Sequence, residues 1–174
     1  MSSIQETIIR RVKHMCSHCY TLLEGDMIVE FRSVVRNYPS DIDKGIVIDP
    51  IAIGVCPYCG HDGEFVCIDF KLAETISLLN KKGYRTKYSC EGHGKRLEPY
   101  IYFSAFQFTD NFNTLPSSWY VDYNPVFQDG DIIRSNLIQY PNCNTDIYNW
   151  ACRLPSKEME EIDKSHINLI YKMI

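Results

Sequence analysis

Two cysteine pairs, Cys16-Ser17-His18-Cys19 and Cys56-Pro57-Tyr58-Cys59, constrain this chain more than any other feature, because together they supply four thiolates at the spacing a tetrahedral zinc site requires. Each C-x2-C turn presents two sulfurs to a metal at roughly 2.3 Å, and two such turns close a tetrahedral site. Gly60, just past the last ligand, suits a left-handed residue that lets backbone amides point at sulfur, and Pro57 stiffens the same turn. Zinc fits this set, with Cys16, Cys19, Cys56 and Cys59 as ligands. Four thiolates fill its coordination shell, so the expected role is structural, with no open position for water or substrate. The spacing admits two other readings. One is a pair of disulfides or a thioredoxin-like redox motif, which the duplication and the lack of a βαβ context disfavour. The other puts His14, His18 or His61 in place of one thiolate; these histidines are otherwise read as solvated groups or hydrogen-bonding neighbours of the ligands.

The residues between the pairs have to return the chain to the metal. Met27 to Val35 mixes alternation with β-branched residues, as a strand does, and a loop around Tyr38-Pro39-Ser40-Asp41 and Lys44-Gly45 leads to the apolar run Ile46 to Val55, interrupted by Pro50. That run delivers the chain into the second pair, the order of a zinc ribbon with each knuckle at a hairpin end. The long connection means that the ribbon carries an insertion or that its strands belong to a larger sheet.

After the second pair, Glu64 to Ile68 reads as a strand and Asp69 as the cap of a helix over residues 71–82, with Leu72, Ile76 and Leu79 on one face. Lysines gather in its last turn and Gly83 stops it. Tyr84 to Ser89 and Pro99 to Phe103 read as further strands, giving a β-α-β-β unit. Asp110 to Pro116 is loop-like, Trp119 to Tyr123 reads as a strand, and Asp131 to Gln139 fits a strand or a short helix. At the C-terminus, Ser156 caps an amphipathic helix with Glu158, Glu160 and Glu161 in its opening turns. Its apolar stripe is Met159, Ile162, His166, Leu169, Ile170 and Met173, read as core packing or as a dimerisation face. The expected fold is α+β: an N-terminal zinc-ribbon module, residues 1–66, joined to a small mixed domain, residues 67–174.

With 45% hydrophobic residues, including 12 Tyr and 8 Phe, 174 residues can bury a real core, which excludes global disorder. Eighteen basic against 22 acidic side chains leave a net charge of -4, so no overall positive field draws the chain to nucleic acid or to an anionic membrane. A local basic patch is compatible with that balance. The opening MSSIQETIIRR has no signal-peptide core and no apolar run approaches the roughly 20 residues needed to span a bilayer, so a soluble cytoplasmic protein with reduced cysteines is expected. The abundance of Ile, Asn, Tyr and Lys is the composition of a low-GC bacterium or one of its phages.

A second stretch, Gly83 to Arg96, carries the candidate ligand site. A strand with Arg85 and Lys87 on one face ends in Ser89-Cys90, and the turn Glu91-Gly92-His93-Gly94 is followed by Lys95 and Arg96. Glycines let backbone amides approach a ligand, and the positive fringe favours an anion such as phosphate. Arg85, Lys87, Ser89, Cys90, His93, Lys95 and Arg96 form the expected ligand set. Three readings compete with a nucleotide-binding turn. Cys90 and His93 act as nucleophile and base; or they are half of a second metal site completed by Cys67, Cys143 or Cys152; or the turn is a plain glycine hairpin with a buried thiol.

The Gly-Tyr-x-Thr-x-x-Ser-Cys-x-Gly-His pattern from Gly83 to His93 resembles the Ser-Cys-Ser-Gly-Arg segment of the tRNA wybutosine-synthesis methyltransferases, with His93 where that family has arginine. The resemblance covers under a tenth of the chain and implies that Ser89, Cys90 and His93 sit at a pocket for a nucleotide-like ligand. It does not carry methyl transfer, because no S-adenosylmethionine motif is present. The chain also looks like small uncharacterised zinc-ribbon proteins of Firmicutes and their phages, which would suit an accessory or host-interaction role.

Two function classes follow. One is a zinc-stabilised protein that binds a nucleotide, an RNA or a protein partner through the basic turn and the aromatics Tyr84, Tyr88, Tyr100, Tyr102 and Trp119. The other is an enzyme acting on a nucleotide or modified base with Cys90 and His93 at its active site. No paired-carboxylate, triad or P-loop signature supports the second class.

Overall fold

A computed structural model describes residues 12–24, 30–37, 46–92, 98–108, 111–123, 129–136 and 142–157. They form two four-stranded antiparallel sheets and two helices, an α+β fold. Among the described residues no helix is long and apolar enough to cross a membrane.

The first sheet has the order β1-β4-β3-β2, with β1 Val12–Cys16, β2 Glu30–Asn37, β3 Ile46–Val55 and β4 Asp62–Asp69. The connection between the cysteine pairs is therefore the long β2–β3 hairpin, in which Glu30 lies opposite Ile53 and Asn37 opposite Ile46. Pro50 sits inside β3 without breaking it. There β3 pairs only with Ser33 of β2, because β4 covers β3 from Ala52 to Val55 alone, so the missing N–H leaves no bond to β4 unmade. Phe65 of β4 lies between Cys16 of β1 and Ala52 of β3, which brings the ends of three strands to one place.

Helix α1, Ala73–Lys81, follows β4 and buries Leu72, Ile76 and Leu79 as its spacing predicts. The N-cap position is Leu72, whose side chain makes no cap bond. The Asp69 carboxylate instead accepts the backbone N–H of Glu91 at 3.1 Å, and the Glu91 carboxylate accepts the N–H of Lys71 at 2.8 Å, a negative group placed where the helix N-terminus favours one. Gly83, with φ 89°, closes the helix by donating its N–H to Asn80 at 3.0 Å.

The second sheet has the order β5-β6-β8-β7, with β5 Thr86–Cys90, β6 Tyr100–Phe103, β7 Trp119–Val121 and β8 Ile132–Ser135. The anticipated order strand, helix, strand, strand is present, but β4 and β5 belong to different sheets. Side chains alternate across it: Ile101, Phe103, Ile133 and Trp119 point to the core, while Tyr88, Tyr100, Arg134 and Tyr120 share the other face.

The second helix, α2 Cys143–Arg153, was not expected from the sequence; Cys143, Ile147, Trp150, Ala151 and Leu154 are buried. Lys82, just past α1, sends its ammonium to the carbonyls of Ala151, Cys152 and Leu154 at 3.0, 2.7 and 2.6 Å, closing the C-terminal end of α2. The C-terminal amphipathic helix expected after Ser156 lies outside the described residues, apart from its first positions. One core joins Met15 and Ile68 of the first sheet to Leu72, Ile76 and Leu79 and to Ile101, Ile133 and Trp150.

Candidate metal centre

Each cysteine pair forms the same turn. Tyr20 donates its N–H to the Cys16 carbonyl at 3.0 Å and Cys16 donates to Thr21 at 3.0 Å; Gly60 donates to Cys56 at 2.9 Å and Cys56 donates to His61 at 2.8 Å. The two turns end β1 and β3, both of which pair with β4, Cys16 opposite Phe65 and Val55 opposite Asp62. In each, one residue takes a left-handed backbone: Gly60 at φ 72° and Tyr20 at φ 58°. For glycine that costs nothing, whereas for tyrosine it costs on the order of 1 kcal/mol.

The two turns bring all four thiols together, with their sulfurs within 4.8 Å of one another. Cys16 Sγ lies 3.8 Å from Cys59 Sγ, and Cys19 Sγ lies 3.8 Å from Cys56 Sγ. Four sulfurs at the corners of a tetrahedron with metal–sulfur bonds of about 2.3 Å stand about 3.8 Å apart, so the cage fits a tetrathiolate ion. Those separations are well beyond the roughly 2.05 Å of a disulfide, which disfavours the disulfide reading. His18 and His61 stack on each other at 5.0 Å between centroids beside the cage, and four sulfurs already converge without either ring.

Backbone and hydroxyl donors surround the sulfurs. The His18 N–H approaches Cys16 Sγ at 3.4 Å. Burial pushes the Cys19 thiol up, but the hydroxyl and N–H of Thr21, with the neighbouring sulfurs, bring it down to about 6. Burial pushes the Cys16 thiol up. At Cys59 the His61 N–H acts downward, but burial and the three other sulfurs outweigh it and push the thiol up to about 12. A first thiolate forms easily and its charge opposes the rest; a bound cation removes that opposition and lets all four ionise.

Of the residues expected at the ligand turn, Arg85, Lys87, Ser89 and Cys90 are among the described residues. Arg85 precedes β5, and its guanidinium lies over the Tyr20 ring at 4.4 Å. Its Nε and Nη1 are buried and have no hydrogen-bond partner among the described residues, and burial lowers its pKa. Lys87 pairs instead with Asp129 at 2.8 Å and sits over the rings of Tyr88 and Tyr102, next to an irregularity in the β5–β6 register between Thr86 and Tyr88. Arg85 and Lys87 thus have different partners. Ser89 is half-buried opposite Ile101, and Cys90 is buried at the end of β5 opposite Tyr100. His93, Lys95 and Arg96 lie outside the described residues.

Among the described residues the four thiols are the one group of three or more metal-ligating side chains that converges. Cys67 is exposed on β4 opposite His14, and Cys143 and Cys152 occupy opposite ends of α2. Of the aromatics expected to stack a ligand, Tyr84 and Trp119 are core residues and Tyr88 is 57% exposed. Tyr20, Thr21 and Asp129, which engage the site residues, escaped sequence reasoning. For Tyr20 a signal existed, since aligning the two C-x2-C turns sets it against Gly60. A cleft of about 610 Å³ opens beside the first turn between β1 and α1, where Lys13 meets Glu74 at 2.6 Å and the lining also holds Glu24 and Lys81, so its charge is balanced. No protein-family model matches the chain, and neither does any curated protein or solved structure.

Proposed function

We propose that the chain is a zinc-binding accessory protein in which the metal is structural and recognition is carried by the segment from Arg85 to Arg96, with a nucleotide, an RNA or a protein as partner. The observation that carries the zinc reading is the sulfur cage, whose 3.8 Å separations match a tetrahedral tetrathiolate. Such a shell is closed, so recognition belongs elsewhere on the surface.

The charges around the segment favour one kind of partner. Lys87 is already paired with Asp129, and the Asp69 and Glu91 carboxylates stand at the base of the turn. A bare phosphate finds no excess of positive charge there among the described residues. The 57% exposed ring of Tyr88 gives an aromatic ring a stacking surface, which supports a nucleobase or an aromatic side chain as the group recognised. Cys90 is buried at the end of the same strand, which supports a packed thiol over a nucleophile.

Native mass spectrometry of protein purified without added metal tests the reading. The expected mass is one zinc per chain, together with any retained small ligand, and the zinc is lost in Cys16→Ser and Cys59→Ser. A metal-free wild type, or full zinc occupancy in both variants, would overturn it.

A further inference from the structure

The two cysteine turns share a backbone and differ in what they hold. At Gly60 an added Cβ would meet nothing within 4 Å. At the matching place in the first turn stands Tyr20, a residue that resists the left-handed conformation it adopts, and it is engaged on three sides. Its N–H reaches the Cys16 carbonyl at 3.0 Å, its carbonyl accepts the Ser77 hydroxyl of α1 at 2.6 Å, and its ring carries the Arg85 guanidinium at 4.4 Å. Arg85 has the ring face where hydrogen bonds to Nε and Nη1 would otherwise be.

We infer that Tyr20 is the strut through which metal occupancy of the four thiols sets the position of α1 and of the entry to β5, and with them the presentation of Arg85. A metal ion that holds Cys16 and Cys19 fixes the turn, and the turn fixes Tyr20 in a conformation that is unfavourable without it. The ring and carbonyl of Tyr20 then tie β5 and α1 to the turn. Without the ion Tyr20 is free to return to an ordinary backbone conformation, and Arg85 and Ser77 lose one partner in a single step. The α1–β5 junction transmits this, because Asn80 of α1 donates Nδ2 to the Thr86 hydroxyl at 2.8 Å and accepts the Thr86 N–H on Oδ1 at 3.2 Å, and Gln107 holds the backbone of Arg85 at 3.0 and 2.8 Å. The inference rests on the metal reading above and adds a regulated consequence to it: the metal governs a cation of the recognition segment that it does not touch.

Hydrogen exchange followed by mass spectrometry on the full chain tests it, in wild type, Tyr20→Phe and Tyr20→Gly, each zinc-loaded and after EDTA, with zinc content measured in parallel. Glycine accepts the left-handed backbone, so Tyr20→Gly is expected to keep one zinc per chain. Exchange at the amides of Arg85 and Thr86 should nevertheless rise about tenfold in that variant, and EDTA should produce the same rise in wild type and Tyr20→Phe but add nothing in Tyr20→Gly. Zinc-loaded Tyr20→Gly with wild-type exchange at these amides, or an equal response to EDTA in all three proteins, overturns the strut while leaving the metal site standing. Absence of zinc from the wild type overturns both.

Discussion

Positions 20 and 60 occupy the same place in two copies of one turn, yet the space around them asks for different things. At Gly60 nothing crowds an added Cβ, so the requirement for glycine there is purely one of backbone conformation. Gly60→Ala in the metal-loaded protein should therefore lose about 1 kcal/mol in urea unfolding, and Gly60→Asn less, because asparagine tolerates the left-handed region. Equal stability of Gly60→Ala and wild type would falsify the strain argument. The four converging thiols were legible because their constraint is local: two thiols three residues apart make sense in few structures other than a metal turn. The engagement of Arg85 and Lys87 was not, because Tyr20 and Asp129 are remote in sequence and nothing in either cation's neighbourhood announces them. A string of basic residues reads as a free positive fringe until folding supplies the carboxylate or the ring that occupies it.

Among the elements, α1 and α2 show what a periodic signal needs. In α1 the apolar positions are leucine and isoleucine, and the helix ends in lysines and Gly83. In α2 the buried stripe is Cys143, Ile147, Trp150 and Ala151 amid asparagine, threonine and aspartate, and Asn142 makes no side-chain cap. Its helical state depends on tertiary contacts, including a lysine from outside the helix. Lys82 meets three terminal carbonyls of α2, where a positive charge also complements the helix dipole. Lys82→Met keeps most of the apolar stem and removes the ammonium, so urea unfolding should show a loss of about 1–2 kcal/mol with zinc content unchanged. A loss within about 0.3 kcal/mol would mean that solvent serves those carbonyls as well as the lysine does. The strands were easier than α2 because β-branched runs mark them, and Pro50 could be passed over since only one side of β3 is paired at that point.

On the scale of the whole molecule, apolar burial is unevenly divided. The main core runs from Met15 and Ile68 through both helices to the inner face of the second sheet. The thiol end of the first sheet has a separate small cluster of Cys16, Ala52, Cys56 and Phe65, in which two of the four buried side chains belong to the thiol cage. A cluster of that size buries little apolar surface to set against the mutual repulsion of four thiolates, whereas metal binding in small tetrathiolate sites supplies on the order of 10 kcal/mol. Chelation should therefore act first on that end. Both tryptophans of the chain, Trp119 and Trp150, are buried in the main core and report on it alone. Removing the metal should leave most of the near-ultraviolet circular dichroism of these two rings in place while amide protection over 52–65 falls. Collapse of the tryptophan signal in step with metal loss would show instead that the Met15 and Ile68 contacts bind the two regions into one cooperative unit, with the metal holding the whole fold.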